Sequence, residues 1–327
     1  MSLNIGIRIH CNWANGKFNV RATGEGRWGL NVAQMLMDRG YNLILIPNWP
    51  IKEEWLKKNV VVVSAKDAHK YGSVDLYIDP AWSFRCKTYI KAKHILATVW
   101  FLHKTLKVPC PNMTYHYPYD FLTHYNTLKE IDGHKILCWP APFGKRFIDY
   151  NDTIRTEVLY VGRHLQFSDQ LQLHALARQL MDYLKDKCNC LHIINTEPEK
   201  ARKYVHYTTI VKLYNSLKYD VIKNLLNHSK LHISLGHSSV LDSVFQGAPP
   251  VLIENRLYGN VPFVKQLGLL VKPDRSNILD VLDTLLYNQK IREEYLQCFQ
   301  DYFHPHLEEN SFYYFQRVLE SLGLKDN

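Results

Sequence analysis

Hydrophobic residues in the first half of the chain recur in short runs that are rich in β-branched side chains and alternate with amphipathic stretches. A run at 5–9 is followed by a helical pattern at 28–38 and by a second run at 42–47. Gly40 stands between the last two and is a typical helix stop. Further strands are predicted at 60–64, 74–78, 94–99, 113–116 and 135–139. This alternation predicts a parallel sheet with helices on both faces.

The second half repeats the pattern. Strands are predicted at 158–161, 190–195, 208–211, 231–235 and 250–253. Helices are predicted at 168–185, 218–227, 239–246, 278–288, 291–302 and 311–322. The chain is therefore predicted to be an α/β protein with two Rossmann-like, doubly wound domains and a ligand-binding cleft between them.

The domain boundary is predicted near residue 150, where prolines and Gly144 precede the polar run 149–152. We expect an N-terminal acceptor domain at 1–150 and a C-terminal donor domain at 151–305. The last segment, 306–327, is expected to form a helix that packs back toward the N-terminal domain.

Composition narrows the class of protein. The chain has 327 residues, of which 46% are hydrophobic, enough for more than one core. No apolar stretch approaches the ~20 residues that span a bilayer, and no leader pattern opens the chain. Seven cysteines at scattered positions favour a reducing compartment. We therefore expect an intracellular, cytoplasmic protein, associated with DNA or peripherally with a membrane.

Positive charge is concentrated in the first half. Residues 1–152 carry a net charge of +8 of the +9 total. No acidic residue lies between Asp79 and Asp120, whereas six basic residues do. They are Arg85, Lys87, Lys91, Lys93, Lys104 and Lys107. Such a field attracts an acidic acceptor, although a solvated basic face without a partner is the alternative.

A glycine series precedes the first predicted helix. Gly24, Gly26 and Gly29 match the spacing of a dinucleotide-binding fingerprint, but they lie about 15 residues after the strand rather than at its end. Gly24, Glu25 and Gly26 are candidates for an acceptor or phosphate contact. A purely structural loop is the alternative.

Two turns in the second half are candidates for donor binding. The strand at 231–235 continues into Gly236, His237, Ser238 and Ser239 before the helix that contains Val240 and Asp242. Small residues there present N–H groups and hydroxyls to a diphosphate. A second such turn, Gly162-Arg163, ends the first strand of the same domain. The alternative is that Ser239 only caps the helix and Asp242 only favours its positive end.

These segments resemble the GT-B glycosyltransferases, two-domain enzymes that use nucleotide-sugar donors. The likeness covers most of the chain, and its motifs are degenerate. It rests on 23–40, 135–147, 158–163 and 241–251, the last being similar to an acidic helix followed by a Gly-x-Pro-Val turn. The resemblance implies that Arg163 contacts the donor phosphates and that Asp242 replaces a ribose-binding glutamate. The pattern is also similar to phage enzymes that glucosylate DNA.

Two departures from the family are visible. Ser234 stands where retaining members carry the earlier of two glutamates, and no lysine follows Gly162-Arg163 in the segment 164–170. The stereochemical outcome is therefore not predicted.

The chemistry is predicted to need neither metal nor cofactor. None of the 18 aspartates lies two positions from another, so the Asp-x-Asp pair that holds a divalent metal in other glycosyltransferases is absent. Amides and Arg163 can stabilise a leaving diphosphate instead. His237 is a further candidate contact to the sugar or phosphate. His103 and Asp79 follow strands of the first domain and are candidates for the catalytic base.

The sequence therefore predicts a metal-independent glycosyltransferase that moves a sugar from a nucleoside-diphosphate donor to an acidic acceptor. A UDP-sugar is the first candidate for the donor. DNA, a phospholipid and a phosphorylated glycan are the acceptor candidates, and aromatic residues among the basic ones favour DNA. A peripheral membrane site would use the same charges. The alternative functions are a nucleotide-sugar 2-epimerase and a nucleic-acid-binding module without turnover.

Overall fold

The computed structural model divides into two compact units. Unit 1 comprises Met1–Lys145 with Pro305–Asn327, and unit 2 comprises Arg146–His304. The structure describes residues 3–10, 12–14, 17–19, 24–48, 60–80, 88–98, 113–117, 129–131, 134–151, 153–161, 179, 183–184, 187–188, 190–194, 211–214, 219–234, 239–252, 262–272, 274 and 276–324.

The described residues form seven α-helices. They are α1 (Gly24–Asp38), α2 (Tyr219–His228), α3 (Ser239–Phe245), α4 (Pro262–Gln266), α5 (Ile278–Tyr287), α6 (Gln289–Phe303) and α7 (Glu308–Ser321). Helices α1 and α7 belong to unit 1, and the other five belong to unit 2.

Unit 1 contains ten described strands. They are β1 (Asn4–Ile9), β2 (Asn12–Ala14), β3 (Lys17–Asn19), β4 (Asn42–Pro47), β5 (Val60–Val62), β6 (Ser73–Asp79), β7 (Lys91–Thr98), β8 (Met113–Tyr117), β9 (Lys129–Ile131) and β10 (His134–Cys138). Eight of them form one sheet in the order β5-β4-β1-β6-β7-β8-β10-β9. Only β9 runs antiparallel to its neighbour, while β2 and β3 form a separate hairpin. The chain therefore winds outward from β1 in both directions.

The side chains of β1 point alternately to the two faces of this sheet, and each face packs in a separate hydrophobic core. Ile5, Ile7 and Ile9 are fully buried on the face that packs with Trp28 of α1 and Phe315 of α7. Because successive side chains of a strand point to opposite faces, Gly6 and Arg8 lie on the other face. A Cβ at Gly6 would lie 3.3 Å from the ring of Tyr77, which belongs to the second core.

The C-terminal helix α7 is fixed to the segment that follows β10. The indole Nε1 of Trp139 donates to the carbonyl of Ser311 at 3.0 Å, and the Ser311 hydroxyl donates to the carbonyl of Pro140 at 2.6 Å. Trp139 also packs against the ring of Phe315. Arg39, at the end of α1, forms ion pairs with Glu308 and Glu309.

Replacing Ser311 with alanine tests this attachment. We expect the free energy of unfolding to fall by about 1–2 kcal/mol, since a buried hydrogen bond is lost and the Pro140 carbonyl loses its donor. Ser321→Ala is the matched control, because that hydroxyl donates only to Val318 of the same helix. Urea unfolding measures both variants, and equal losses would show that the contact to Pro140 adds no stability.

Unit 2 contains one described sheet of five parallel strands. They are β11 (Glu157–Val161), β12 (Cys190–Ile194), β13 (Val211–Tyr214), β14 (Ser229–Ser234) and β15 (Pro250–Leu252). Their order is β13-β12-β11-β14-β15, so the chain again winds outward from its first strand in both directions. The sheet is therefore doubly wound, as the alternation of patterns predicts.

Buried Arg155 connects helix ends in unit 2. Its guanidinium donates to the carbonyls of Leu226, Ser229 and Gln246, which lie at or just beyond the ends of α2 and α3. Burial lowers the pKa of Arg155 to about 10. Gly247, whose φ is +72°, follows directly, and a Cβ there would lie 2.7 Å from the Ile148 carbonyl oxygen. Glycine at this position permits the close approach that orients α3.

Most predicted elements in the described ranges are present, with several differences. Helix α1 begins at Gly24 rather than at residue 28, since its first turn carries no apolar periodicity. Strand β13 occupies Val211–Tyr214 rather than 208–211. Four short elements, β2, β3, β9 and α4, have three to five residues each, too few to show a period. The predicted helix at 168–185 lies largely outside the described residues.

Candidate functional site

The chain of unit 2 reverses its winding direction between β11 and β14. Val161 and Ser234, the last residues of these strands, are paired in the parallel register. The strands that precede the two predicted donor turns therefore end next to each other. Such a topological switch point is where open α/β sheets bind ligands, outside the carboxyl ends of the strands. Gly162, Arg163, His237 and Ser238 themselves lie outside the described residues.

Asp242 lies in α3, and its side chain is held in place by α2. The hydroxyl of Tyr219, the first residue of α2, donates to Asp242 Oδ1 at 2.7 Å. Asp242 is 2% exposed and follows Ser239 by three residues, so both lie on one face of the helix. Val240, between them, is also buried. Tyr219 was not predicted from the sequence, because it lies in a different helix from Asp242 and 23 residues before it.

His232 of β14 contacts Ser239 at the start of α3. Its Nε2 lies 3.1 Å from Ser239 Oγ, and its Nδ1 lies 3.3 Å from the carbonyl oxygen of Leu159. Burial lowers the pKa of His232 to about 4, so the ring is neutral at pH 7. A carbonyl only accepts, so Nδ1 carries the proton and the Ser239 hydroxyl donates to Nε2. A lone histidine in an apolar strand was the only sequence signal.

In unit 1 the winding direction of the sheet reverses between β1 and β6, which are parallel neighbours. A buried ion pair lies at this switch point. Arg8 Nη1 contacts both carboxylate oxygens of Asp79, at 3.0 and 3.3 Å. Both residues are fully buried. Burial acts to lower the pKa of Arg8, but the charge of Asp79 and the hydrogen bond to it outweigh burial and raise that pKa.

This pair bears on the predicted role of Asp79 as a catalytic base. A carboxylate that is bound to a guanidinium is a weaker proton acceptor than an unpaired one. The role itself stays a prediction. Arg8 was missed by the sequence analysis, although a single arginine inside the apolar run 5–9 is a visible signal.

The glycine series of the first half lies in α1. Gly24, Glu25 and Gly26 are the first three residues of the helix, and their contact with an acceptor or phosphate stays a prediction. Gly29 has a packing reason, since a Cβ there would lie 3.2 Å from the carbonyl oxygen of Arg8 and 3.3 Å from Ile9. Helix α1 therefore approaches β1 closely at this position.

Two residues of the predicted basic surface are described. Lys91 and Lys93 are exposed at the amino end of β7, and Lys93 forms an ion pair with Asp75 at 2.6 Å. In the parallel register, Asp79 of β6 lies beside Ala97 of β7. Lys93 precedes Ala97 by four residues, so it lies about 13 Å from Ala97 along the strand. The structure therefore does not bring these lysines to the carboxyl edge where Asp79 lies. Arg85, Lys87, His103, Lys104 and Lys107 lie outside the described residues.

Within the described ranges, no group of three or more histidine, cysteine, aspartate or glutamate side chains is arranged to hold a metal ion. None of the helices described is long and apolar enough to cross a bilayer.

Comparison with known proteins identifies the fold. The sequence matches no family model and no curated protein. An alpha-glucosyltransferase solved with UDP and a 13-mer DNA containing an A:G mismatch has a TM-score of 0.60 at 11% identity, covering 98% of this chain and 99% of that one. AviGT4, a glycosyltransferase of avilamycin A biosynthesis, has a TM-score of 0.61 at 12% identity, covering 98% of each chain.

WaaG, a glycosyltransferase of lipopolysaccharide biosynthesis, has a TM-score of 0.57 at 11% identity, covering 95% of this chain and 98% of that one. These neighbours are GT-B glycosyltransferases with two Rossmann-like domains. The chain therefore has the GT-B fold, which confirms the predicted fold class and the resemblance at the level of the fold.

Proposed function

We propose that this protein is a glycosyltransferase that moves a sugar from a nucleoside-diphosphate donor, bound by unit 2, to an acidic acceptor bound by unit 1. The observation that supports the proposal is the pairing of Val161 with Ser234, because the strands that precede both predicted donor turns end side by side at the switch point. The glycosyltransferase neighbours, one of them solved with UDP, support a UDP-sugar as the donor.

In the proposed donor site, Arg163 and the amides of 237–240 bind the diphosphate. Charge-assisted hydrogen bonds there stabilise the negative charge that develops as the sugar leaves, without a metal. Asp242 binds the ribose hydroxyls, and Tyr219 holds its carboxylate in one orientation. His237 and Ser238 complete the contacts to the sugar or phosphate.

On the acceptor side, DNA is the proposed substrate. The support is the positive charge of residues 1–152 and the DNA that is bound in the alpha-glucosyltransferase neighbour. Because Asp79 is already ion-paired with Arg8, we assign the role of general base to His103.

The first test is transfer itself. Labelled UDP-glucose and UDP-N-acetylglucosamine are incubated with the protein and with duplex DNA, anionic phospholipid vesicles or a phosphorylated glycan. We expect label to move to DNA in a time-dependent reaction. Epimerised sugar nucleotide with donor alone would indicate the 2-epimerase. Absence of donor turnover with every acceptor would contradict the proposed function.

Arg163→Ala tests the donor site. We expect UDP binding to weaken by about 1.5–3 kcal/mol, the value of a hydrogen bond to a charged group. Arg146→Ala is the control, because it removes the same charge from an exposed position of unit 2. Calorimetric titration with UDP measures both, and an unchanged affinity in Arg163→Ala removes that residue from the site.

A further inference from the structure

Arg8 has N–H groups that Asp79 does not use. The carboxylate contacts only Nη1, whereas Nε and Nη2 are buried and have no hydrogen-bond partner within the part of the chain that the structure describes. Nε and Nη2 form one edge of the planar guanidinium, with two parallel N–H bonds. That edge has the geometry that binds two oxygens of one phosphate or carboxylate.

Tyr77 adds a third donor on the same face. It lies two residues before Asp79 on β6, and the absence of a side chain at Gly6 makes room for its ring. The Tyr77 hydroxyl is also buried, and no acceptor among the described residues meets it in good hydrogen-bond geometry, although the Asp79 carboxylate lies close by. Burial, reinforced by the charge of Asp79, raises the pKa of Tyr77, which keeps this hydroxyl protonated.

The position of these donors suits a ligand. They lie at the carboxyl end of β1 and β6, where the winding direction of the unit 1 sheet reverses. The ring of Tyr89, which is partly exposed, lies 5.3 Å from the Arg8 guanidinium carbon. The partly exposed ring of Tyr89 therefore lies between the Arg8 guanidinium and the solvent. Buried N–H and O–H groups are nearly always paired in folded proteins, so three on one face indicate an absent acceptor.

We propose that Arg8 and Tyr77 bind a phosphate group of the substrate of unit 1, with Asp79 as the positioning residue that orients the guanidinium. A tetrahedral phosphate presents three oxygens to the three donors, whereas a carboxylate presents two. The net charge of +8 in residues 1–152 favours an anion there. Assigning this phosphate to the sugar acceptor rests on the proposed function, but the phosphate site itself does not.

Calorimetric titration of the full chain with inorganic phosphate tests the site. We expect Tyr77→Phe to bind phosphate about tenfold more weakly, since it loses one hydrogen bond to a charged group. Arg8→Lys is expected to lose measurable binding, because an ammonium lacks the paired N–H edge. Tyr295→Phe is the matched control, since its hydroxyl is equally buried and unpartnered among the described residues but belongs to unit 2. It should bind phosphate with wild-type affinity.

Competition against bound phosphate then identifies its source. Displacement by glucose 6-phosphate or by a duplex oligonucleotide, but not by UDP, assigns the phosphate to the acceptor, whereas displacement by UDP overturns that assignment. The site is overturned if the wild-type chain binds no phosphate or if Tyr77→Phe and Tyr295→Phe bind it equally. A chain that binds phosphate through Arg8 but transfers no sugar would contradict the proposed function and leave the site standing.

Discussion

Asp79→Asn is expected to lower the free energy of unfolding by about 3–5 kcal/mol, because it leaves the buried guanidinium of Arg8 without a counter-charge. Arg8 cannot avoid this cost by losing its proton, since a guanidinium stays charged at any accessible pH. Urea unfolding at pH 7, followed by circular dichroism, measures the loss. Asp75→Asn is the control on the same strand, because its partner Lys93 is largely exposed. We expect that change to cost at most about 1 kcal/mol.

A double variant separates the cost of an unpaired charge from the value of the pair. Arg8→Met with Asp79→Leu removes both charges, and apolar replacement of a buried ion pair is often neutral or stabilising. We expect the double variant to be more stable than Asp79→Asn alone. A loss in Asp79→Asn no larger than that in Asp75→Asn would show that the Arg8–Asp79 pair is not buried as described.

The fold was largely predictable because its signals are local. The apolar runs that form β1, β4 and β6 are each bounded by polar or turn residues, so the strand positions follow from short windows of sequence. The parallel direction of the strands follows from the alternation of strands and helices, since parallel strands need crossover connections. The β2–β3 hairpin was missed because three-residue strands are too short to show a period.

The candidate sites were only half predictable, because their contacts join distant parts of the chain. Asp79 is visible as a polar residue that ends an apolar strand, but its partner Arg8 is 71 residues away. Only the register of β1 with β6 brings the two together. The same holds for Tyr219 and Asp242, whose contact depends on how α2 and α3 pack. Arg8 and His232 were not predicted as site residues, although each is a polar residue inside an apolar strand, which is a visible signal.

The stability of the protein is expected to fall as the pH is lowered from about 6.5 to about 4. Burial lowers the pKa of His232 and of His306 to about 4, against 6.5 in the unfolded chain. Between these values the unfolded chain binds a proton at each histidine and the folded protein does not, so folding weakens as the pH falls. Each histidine accounts for about 3 kcal/mol over this range, and this stability is fully present above pH 6.5.

His306→Asn isolates one of these two contributions. His306 is fully buried, and its Nδ1 donates to the carbonyl of Ala141 at 2.7 Å. An asparagine amide can make that bond but cannot take up a proton. We expect the variant to be less stable than wild type at pH 7, because ring packing against Phe143 is lost. The difference in the free energy of unfolding should then shrink by about 3 kcal/mol as the pH falls to 4. Only the wild type has a histidine at 306 that is protonated in the unfolded chain and neutral in the folded protein, so only the wild type loses this stability.

Urea unfolding at half-unit steps from pH 7 to pH 4 measures this convergence. His228→Asn is the control, because His228 is exposed at the end of α2. Its difference from wild type should stay nearly constant over the range. A constant difference for His306→Asn as well would mean that His306 takes up its proton in the folded protein, which its complete burial and the bond to Ala141 oppose. The acid sensitivity of unit 1 would then arise from groups other than His306.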